Sequence, residues 1–449
     1  MQFLRIPYVL ELSLKSVIYF LDMKFINVLF VVLLYCTHLS AQVTLPNNLY
    51  FTHIGVEDGL SQNTVCCILQ DHLGFIWLGT KDGLTRYDGY RFRVFKHDAA
   101  DSMSIGNNFI RVLHEDSDGR IWIGTNVGVY IYNPKTENFR KFDVATERGD
   151  VISREVSSIK CDSAGDLWIG VNWQGVFRYD RRDESLELYE PVPGDTTSLS
   201  SIHVWDLCFD GDGNLWVGSQ NGGLDRYDRE TDRFIRHRLK GLSDVSRIVL
   251  DKQNRLLIGT MKDGLFSFNP YMGTCRPLLL DPGRGDLFVR AIFVRNSREI
   301  VVGTENGIYI YDCVTRKTRH INQELGNPYS LSCKAVYSIY CDKEGALWIG
   351  TYFGGVNYLP PSSSLIFDKF YPIGDSDQLS GKAVREFVQD ENGIIWIGTE
   401  DQGLNRFDPV SGKFTQYNSR NSGLSCDNVH GLCVDGDRLY IGTFFGGFN

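Results

Sequence analysis

Residues 394–408 read IIWIGTEDQGLNRFD, and variants of this stretch recur along the chain. Most variants begin with an apolar run that contains W-I-G-T or a similar sequence. A turn with glycine follows, and then a second run that ends in an aromatic residue and aspartate. The glycine of the motif falls at nine positions: Gly79, Gly124, Gly170, Gly218, Gly259, Gly303, Gly350, Gly398 and Gly442. Intervals of 41 to 48 residues, with these aromatic, glycine and aspartate marks, are typical of the four-stranded blades of a β-propeller.

A single copy divides into four short apolar runs, which we name strands A to D. In the eighth copy they cover residues 384–388, 394–399, 404–408 and 414–417, with turn residues between them. Most A–B turns read D-x-x-G, in which aspartate caps the turn and glycine takes a positive φ. Six copies carry tryptophan at one shared position: Trp77, Trp122, Trp168, Trp216, Trp348 and Trp396. Because one blade cannot bury its own faces, we predict an all-β propeller of four-stranded antiparallel blades, with the indoles packed between blades rather than stacked on a cofactor.

Nine copies exceed the four to eight blades of a usual propeller. We expect about seven blades in a first ring over residues 42–360 and the first two blades of a second, truncated ring over residues 361–449. One ring of eight or nine blades is the alternative. The segment Tyr50-Phe51-Thr52 resembles a strand D and could complete a blade built from the other end of the chain. The ninth copy stops before its strand D, which we interpret as a truncated gene or a fragment of a longer polypeptide.

The N-terminus has the pattern of an export signal. An apolar stretch over residues 25–35 follows Met23-Lys24, and Ser40-Ala41 stand before Gln42. A short apolar run with small residues at its end is typical of a cleaved signal peptide. We therefore expect residues 1–41 to be removed, with Met23 as an alternative start, and the mature chain to be periplasmic. The net charge of −9 and the lack of a basic stripe argue against a nucleic-acid partner.

We expect neither a metal site nor a cofactor. Acidic turns such as residues 116–119 (DSDG) supply too few oxygen ligands for a calcium loop. The cysteines of the A strands lack both C-x-x-C pairs and a histidine pattern, so we interpret them as buried free thiols. Most aspartates are repeated turn residues, and neither H-E-x-x-H nor G-x-S-x-G occurs, so we expect no catalytic activity. The alternatives are an exported propeller lyase or glycosidase and a non-catalytic protein-interaction scaffold.

The order of antiparallel strands predicts where a small-molecule ligand would bind. The start of strand A and the B–C turn should lie on one face of the ring. At the second residue of strand A the copies are polar and variable, whereas the first residue is almost always valine. Exposed aromatic residues beside arginine suit a sugar, through stacking and bidentate contacts. The predicted ligand-binding residues are Arg111, Trp173, Trp205, Arg290, Tyr337, Tyr352, Phe353 and Arg385.

The full repeat reads L-S-x-x-x-V-x-x-I-x-x-D-x-x-G-x-I/L-W-I-G-T-x-x-G-G-L-x-R-Y-D, as residues 60–88, 199–228 and 331–358 illustrate. This pattern resembles the two-component regulator propeller repeats of bacterial hybrid two-component sensors, over about residues 48–449. Copies five and six depart from it, with Leu257 and Val301 in place of tryptophan.

The resemblance implies a periplasmic sensor of two propellers, followed by a β-sandwich, a membrane span, a histidine kinase and response-regulator modules. It implies an oligosaccharide ligand from polysaccharide breakdown, a homodimer in the full-length sensor, and membrane attachment only through segments absent from this chain.

Overall fold

A computed structural model describes residues 44–46, 48–239, 242–280, 287–361, 369–372 and 378–449. The predicted signal peptide, residues 1–41, lies outside the described residues. Across those ranges the regular structure is β, apart from one 3-10 turn at Val56–Asp58. None of the described helices has the length and apolar character needed to cross a bilayer.

The strands form nine sheets, which we call blades 1 to 9 in chain order. Strand β1 is Thr52–Ile54. Blade 1 is β2 (Val65–Gln70), β3 (Ile76–Thr80), β4 (Gly83–Tyr87) and β5 (Phe92–Phe95). Blade 2 is β6 (Ile110–Glu115), β7 (Ile121–Thr125), β8 (Gly128–Asn133) and β9 (Asn138–Lys141). Blade 3 is β10 (Val156–Cys161), β11 (Leu167–Val171), β12 (Gly175–Asp180) and β13 (Ser185–Tyr189).

The next blades repeat this order of strands A to D. Blade 4 is β14 (Val204–Phe209), β15 (Leu215–Ser219), β16 (Gly223–Asp228) and β17 (Arg233–His237). Blade 5 is β18 (Val245–Leu250), β19 (Leu256–Thr260), β20 (Leu265–Asn269) and β21 (Thr274–Leu279). Blade 6 is β22 (Val289–Val294), β23 (Glu299–Thr304), β24 (Gly307–Asp312) and β25 (Thr318–Ile321).

The last blades differ in how their fourth strand is supplied. Blade 7 contributes β26 (Val336–Cys341), β27 (Leu347–Thr351) and β28 (Val356–Leu359). Blade 8 is β29 (Val384–Gln389), β30 (Ile395–Thr399), β31 (Leu404–Asp408) and β32 (Lys413–Tyr417). Blade 9 has three strands, β33 (Val429–Asp435), β34 (Arg438–Thr443) and β35 (Gly447–Phe448).

The N-terminal strand closes a ring of seven blades. Strand β1 pairs antiparallel with β28, with Thr52 opposite Tyr358, and so becomes strand D of blade 7. The A strands of blades 1 to 7 contact one another in succession, and β26 of blade 7 contacts β2 of blade 1. Blades 8 and 9 pack together through β29 and β33. The predicted fold class is thus confirmed, whereas the boundary at residues 360 and 361 stays a prediction.

The glycine of the W-I-G-T motif lets neighbouring blades approach closely. A methyl group on Gly218 would lie 2.5 Å from Cγ1 of Val245, the first residue of the next strand A. The same contact occurs at the seam of the ring, where blade 7 meets blade 1. There a methyl group on Gly350 would lie 2.8 Å from Cγ1 of Val65. Any larger side chain would therefore push adjacent blades apart.

The repeated tryptophans pack between blades, as predicted. Trp168 of blade 3, for example, lies 4.7 Å from Tyr227 of blade 4, measured between ring centroids. Each indole also donates a hydrogen bond to the aspartate six residues earlier, and the pair Trp77 Nε1 to Asp71 Oδ2 measures 2.8 Å. In blade 5 leucine replaces tryptophan, and Asp251 binds Arg255 instead. The turn aspartate is therefore a packing residue as well as a turn cap.

The cysteines are free thiols at every described position. Only Cys208 is buried, whereas Cys433 is exposed and the others are half-buried. The expectation of buried thiols therefore holds for Cys208 alone.

Candidate functional site

A β-bulge stands at the second residue of strand A in every blade. In blade 1, Val65 pairs with Thr80 and Cys67 pairs with Gly79, which leaves Cys66 as the extra residue. The bulged residues of blades 2 to 9 are Arg111, Ser157, Trp205, Ser246, Arg290, Tyr337, Arg385 and His430. Bulges change the direction of a side chain and are frequent beside functional sites. The variable position of the repeat is therefore also a special backbone position.

Charged and aromatic side chains alternate across four blades at the start of the A strands and at the B–C turns. The Arg290 guanidinium carbon lies 4.6 Å from the Tyr337 ring centroid, which is 5.1 Å from that of Tyr352. Lys81 Nζ lies 4.1 Å from the Tyr352 centroid and 5.7 Å from that of Phe109. We call this the cation–aromatic row: Arg290, Tyr337, Tyr352, Lys81, Phe109 and Arg111.

Both arginines of the row have carboxylate partners. Arg111 donates to Asn126 at 2.7 Å and pairs with Glu155 at 3.1 Å. Arg290 donates from Nε to Glu305 at 2.7 Å. Lys81, by contrast, forms no ion pair within the described part of the chain. Its ammonium group is thus the cation of the row that is most available to an acidic ligand.

Two exposed aromatic residues lie in B–C turns, Trp173 in blade 3 and Phe353 in blade 7. Trp173 has a φ of 67° and is 63 % exposed, with its ring edge against His203 at 4.1 Å between centroids. Phe353 is 68 % exposed and contacts Tyr352 at 4.1 Å between centroids. A left-handed conformation is uncommon for a bulky residue and, where it occurs, points to a functional constraint. Both rings expose most of their surface to solvent.

Four of the eight predicted site residues are not members of the row: Trp173 and Phe353, described above, and Trp205 and Arg385. Trp205 occupies the bulge of blade 4, and its buried indole Nε1 has no hydrogen-bond partner among the described residues. Arg385 lies in blade 8, outside the closed ring, and pairs with Glu400 at 2.6 Å. The predicted division of the copies at residues 360 and 361 already assigns Arg385 to a second ring, so this residue shares the repeat position of the site but not its ring.

The sequence analysis missed four residues in or beside the row. Lys81 and Glu305 follow strand B directly, and Phe109 and Phe288 stand directly before strand A. Phe288 lies under the Arg290 guanidinium at 3.8 Å. Comparing the nine copies at the first B–C turn position would have drawn attention to Lys81 and Glu305.

Burial raises the pKa values of two groups near the row, Tyr337 and Cys66. Burial raises the pKa of Tyr337 to about 12, although Arg290 opposes the shift. Burial also raises the pKa of the Cys66 thiol to about 11, against the lowering effect of Arg111 and Lys81. Within the described ranges, no group of three or more His, Cys, Asp or Glu side chains is arranged to hold a metal ion. The arrangement suits binding through stacking and charge.

Known proteins with related sequences are two-component regulators. The model of the two component regulator propeller family matches residues 59–82, 104–127, 198–221, 330–353 and 378–401. A stretch of 59 residues, 13 % of this chain and 4 % of the relative, is 42 % identical to "Histidine kinase P4" of Formosa agariphila.

Solved structures share the fold. The extracellular domain of the putative hybrid two component system BT3049 from B. thetaiotaomicron is 27 % identical, with a TM-score of 0.72 over 89 % of this chain and 53 % of that one. The corresponding domain of BT4673 is 21 % identical, with a TM-score of 0.59 over 89 % and 58 %. A streptogramin B lyase is 14 % identical, with a TM-score of 0.52 over 70 % and 97 %, and shares the fold alone.

This chain spans about half the length of the two sensor domains. The matched repeats include the lead-in, the A–B turn and the whole W-I-G-T motif or its variant in five of the nine copies. The chain is therefore a propeller built from two-component regulator propeller repeats, similar to the extracellular domains of hybrid two-component systems.

Proposed function

We propose that this chain is the extracytoplasmic ligand-sensing region of a hybrid two-component regulator. It binds an oligosaccharide from polysaccharide breakdown at the cation–aromatic row and signals to a kinase that lies outside this chain. The observation that carries the proposal is the row itself, which joins four blades through alternating cations and rings. A ligand that spans several blades changes how they pack, and this change transmits binding.

The chemistry of the row favours a sugar, in particular an acidic one. Trp173 and Phe353 present apolar ring surface on which the C–H face of a pyranose can stack. Lys81 supplies an ammonium group for a carboxylate or sulfate. The arginines, held by Glu155 and Glu305, are fixed in place and can donate their remaining N–H groups to hydroxyls.

The rest of the proposal follows the similarity to hybrid two-component sensors. The chain acts in the periplasm after removal of residues 1–41, and the full-length sensor is a homodimer attached to the membrane through segments absent from this chain. The chain itself is not an enzyme. An exported lyase or glycosidase would instead release product steadily from a polysaccharide, and a single carboxylate substitution would abolish that release.

Calorimetry with matched neutral and acidic oligosaccharides tests the proposal. We expect saturable binding that Tyr352→Ala and Lys81→Gln each weaken at least about fivefold, since each removes a contact of about 1 kcal/mol or more. Tyr271→Ala is the matched control, because Tyr271 is 63 % exposed and lies in a C–D turn of blade 5. Three results would contradict the proposal. They are an equal loss of affinity in Tyr271→Ala, no binding of any of the oligosaccharides, and sustained release of product.

A further inference from the structure

A groove opens at the seam of the ring, between blade 7 and blade 1. Its volume is about 560 Å³, within the range of small-molecule sites. The A–B turns of both blades, the C–D turn of blade 1 and strand β1 line it. We call it the seam groove. It lies on the side of the A–B turns, opposite the cation–aromatic row.

Between blades 2 and 3, and between blades 3 and 4, an arginine occupies the corresponding space. Arg229, which directly follows strand C of blade 4, reaches back to Asp162 in the A–B turn of blade 3 at 2.6 Å. Arg181 of blade 3 reaches back to the turn of blade 2 in the same way, with Asp118 at 2.7 Å. At the seam, the residue at this repeat position is Gly89, so no arginine side chain reaches from blade 1 to the A–B turn of blade 7.

Two further positions that hold cations in other blades are neutral at the seam. The turn aspartate of blade 2 pairs with Arg120, four residues later, whereas in blade 7 that position is Ala346. On strand C, the residue opposite the repeated tryptophan is an arginine in blades 1 and 3 but Tyr358 in blade 7. Asp342 therefore keeps the turn geometry of its counterparts but forms no ion pair within the described part of the chain.

The lining of the groove is acidic and aromatic. Asp58, Asp88 and Glu344 join Asp342, and no lysine or arginine is among the described lining residues. Glu344 accepts a hydrogen bond from Gln70 at 3.3 Å. The carboxylates are thus bound by neutral donors and leave a negative groove between the two blades.

Aromatic rings form the wall beside these carboxylates. Tyr87 stacks on Phe92 at 4.4 Å between centroids and lies 5.9 Å from Trp348. Trp348 in turn meets Tyr358 at 4.9 Å. Ring faces beside carboxylates are the surroundings that bind organic cations.

We propose that the seam groove binds a guanidinium group, held by Asp342 and Glu344 against the Tyr87 and Trp348 rings. A guanidinium is planar, stacks on rings and pairs with carboxylates through two N–H groups, which a lysine ammonium does not do. The same turn aspartate already binds a guanidinium in blades 2 and 3 of this structure. The site does not depend on the oligosaccharide-binding proposal and lies on the opposite face of the ring.

Fluorine NMR of the full chain labelled with 5-fluorotryptophan provides the test. The chain has eight tryptophans, and single Trp→Phe variants assign their resonances. Titration with methylguanidinium should shift the Trp348 resonance saturably and leave that of Trp168, whose groove already holds Arg229, in place. Asp342→Asn and the exposed Glu344→Gln should each weaken the effect at least about threefold, and urea, a neutral molecule of the same shape, should cause no shift.

The repeat supplies a matched control. Arg229→Ala should open the equivalent groove between blades 3 and 4, so that methylguanidinium then also shifts Trp168. N-acetyl-arginine amide separates the two sources of the group: roughly tenfold tighter binding than methylguanidinium identifies an arginine side chain of a partner chain, and equal binding identifies a small molecule. The inference is overturned if Trp348 does not respond, if urea acts equally, or if Glu344→Gln and Asp342→Asn both leave the titration unchanged.

Discussion

A buried carboxyl in blade 4 should lower the stability of the protein near neutral pH. Replacing it with an amide should therefore raise the free energy of unfolding. Asp225 lies on strand C with its side chain fully buried. Its Oδ2 accepts hydrogen bonds from the backbone N–H and hydroxyl of Ser200, at 2.9 and 2.6 Å, and its Oδ1 has no partner among the described residues. In blade 7 the same position is Asn357, which accepts from the Ser332 N–H and donates to its hydroxyl. We therefore predict that Asp225→Asn stabilises the ring.

The size and pH dependence of the effect follow from the pKa of the carboxyl. Burial raises the pKa of Asp225 from 3.8 to about 6. Because a tenfold change in acid dissociation is worth about 1.4 kcal/mol, ionised Asp225 costs about 3 kcal/mol above pH 6. Below about pH 4 the carboxyl is protonated in both folded and unfolded chains, so the cost disappears. The advantage of Asp225→Asn should thus be largest above pH 6 and fall as the pH drops from 6 to 4.

Urea denaturation followed by tryptophan fluorescence, at pH 7.5 and pH 4.5, measures this difference. Asn357→Asp is the reciprocal control: it places a carboxyl at the equivalent position of blade 7 and should destabilise the chain by a similar amount at pH 7.5. A gain from Asp225→Asn that is the same at both pH values would refute the argument, as would no gain at pH 7.5.

Three other substitutions test the packing and the site. Asp71→Ala should lower the free energy of unfolding, measured by urea denaturation, by about 3 kcal/mol, because it leaves the indole N–H of Trp77 and a backbone N–H without acceptors. Substitution of the exposed turn residue in Glu391→Ala should leave the free energy of unfolding almost unchanged. Equal losses in the two variants would disprove the role of the aspartate. Gly218→Ala should lower the free energy of unfolding by about 2 kcal/mol, because the added methyl group would collide with the next strand A. An unchanged free energy of unfolding would show that adjacent blades pack less closely than described. Arg290→Ala should lower the affinity for an acidic oligosaccharide, measured by calorimetry, about fivefold. Unchanged affinity would remove this arginine from the site.

The repeat pattern predicts the blades because each strand carries its own local signal. W-I-G-T gives strand B, D-x-x-G gives the A–B turn, and the lead-in gives the start of strand A. These are short-range patterns of apolar residues and turn residues, and they are independent of how the blades meet. The tryptophan position also indicated packing between blades, since a large ring recurs there in six of the copies.

The partners of individual side chains are less visible in the sequence. The bond from each indole to the turn aspartate joins residues six apart, and the sequence alone gave the aspartate only its turn role. The carboxylates that hold Arg111 and Arg290 come from neighbouring turns, so the arginines were expected to be more available than they are. Arg385 shares the repeat position of the site but lies in blade 8, outside the ring that the pairing of β1 with β28 closes. The repeat period gives the position of a residue within its blade, but not the partner that its side chain binds.

Hydrogen–deuterium exchange tests the central claim, that the ligand binds at the cation–aromatic row, most directly. The chain would be compared alone and with the oligosaccharide that calorimetry selects. The account predicts slower exchange in the B–C turns at residues 81–82, 172–174 and 352–354, with no change in the A–B turns. Protection confined to the A–B turns, or to blades 8 and 9, would contradict it.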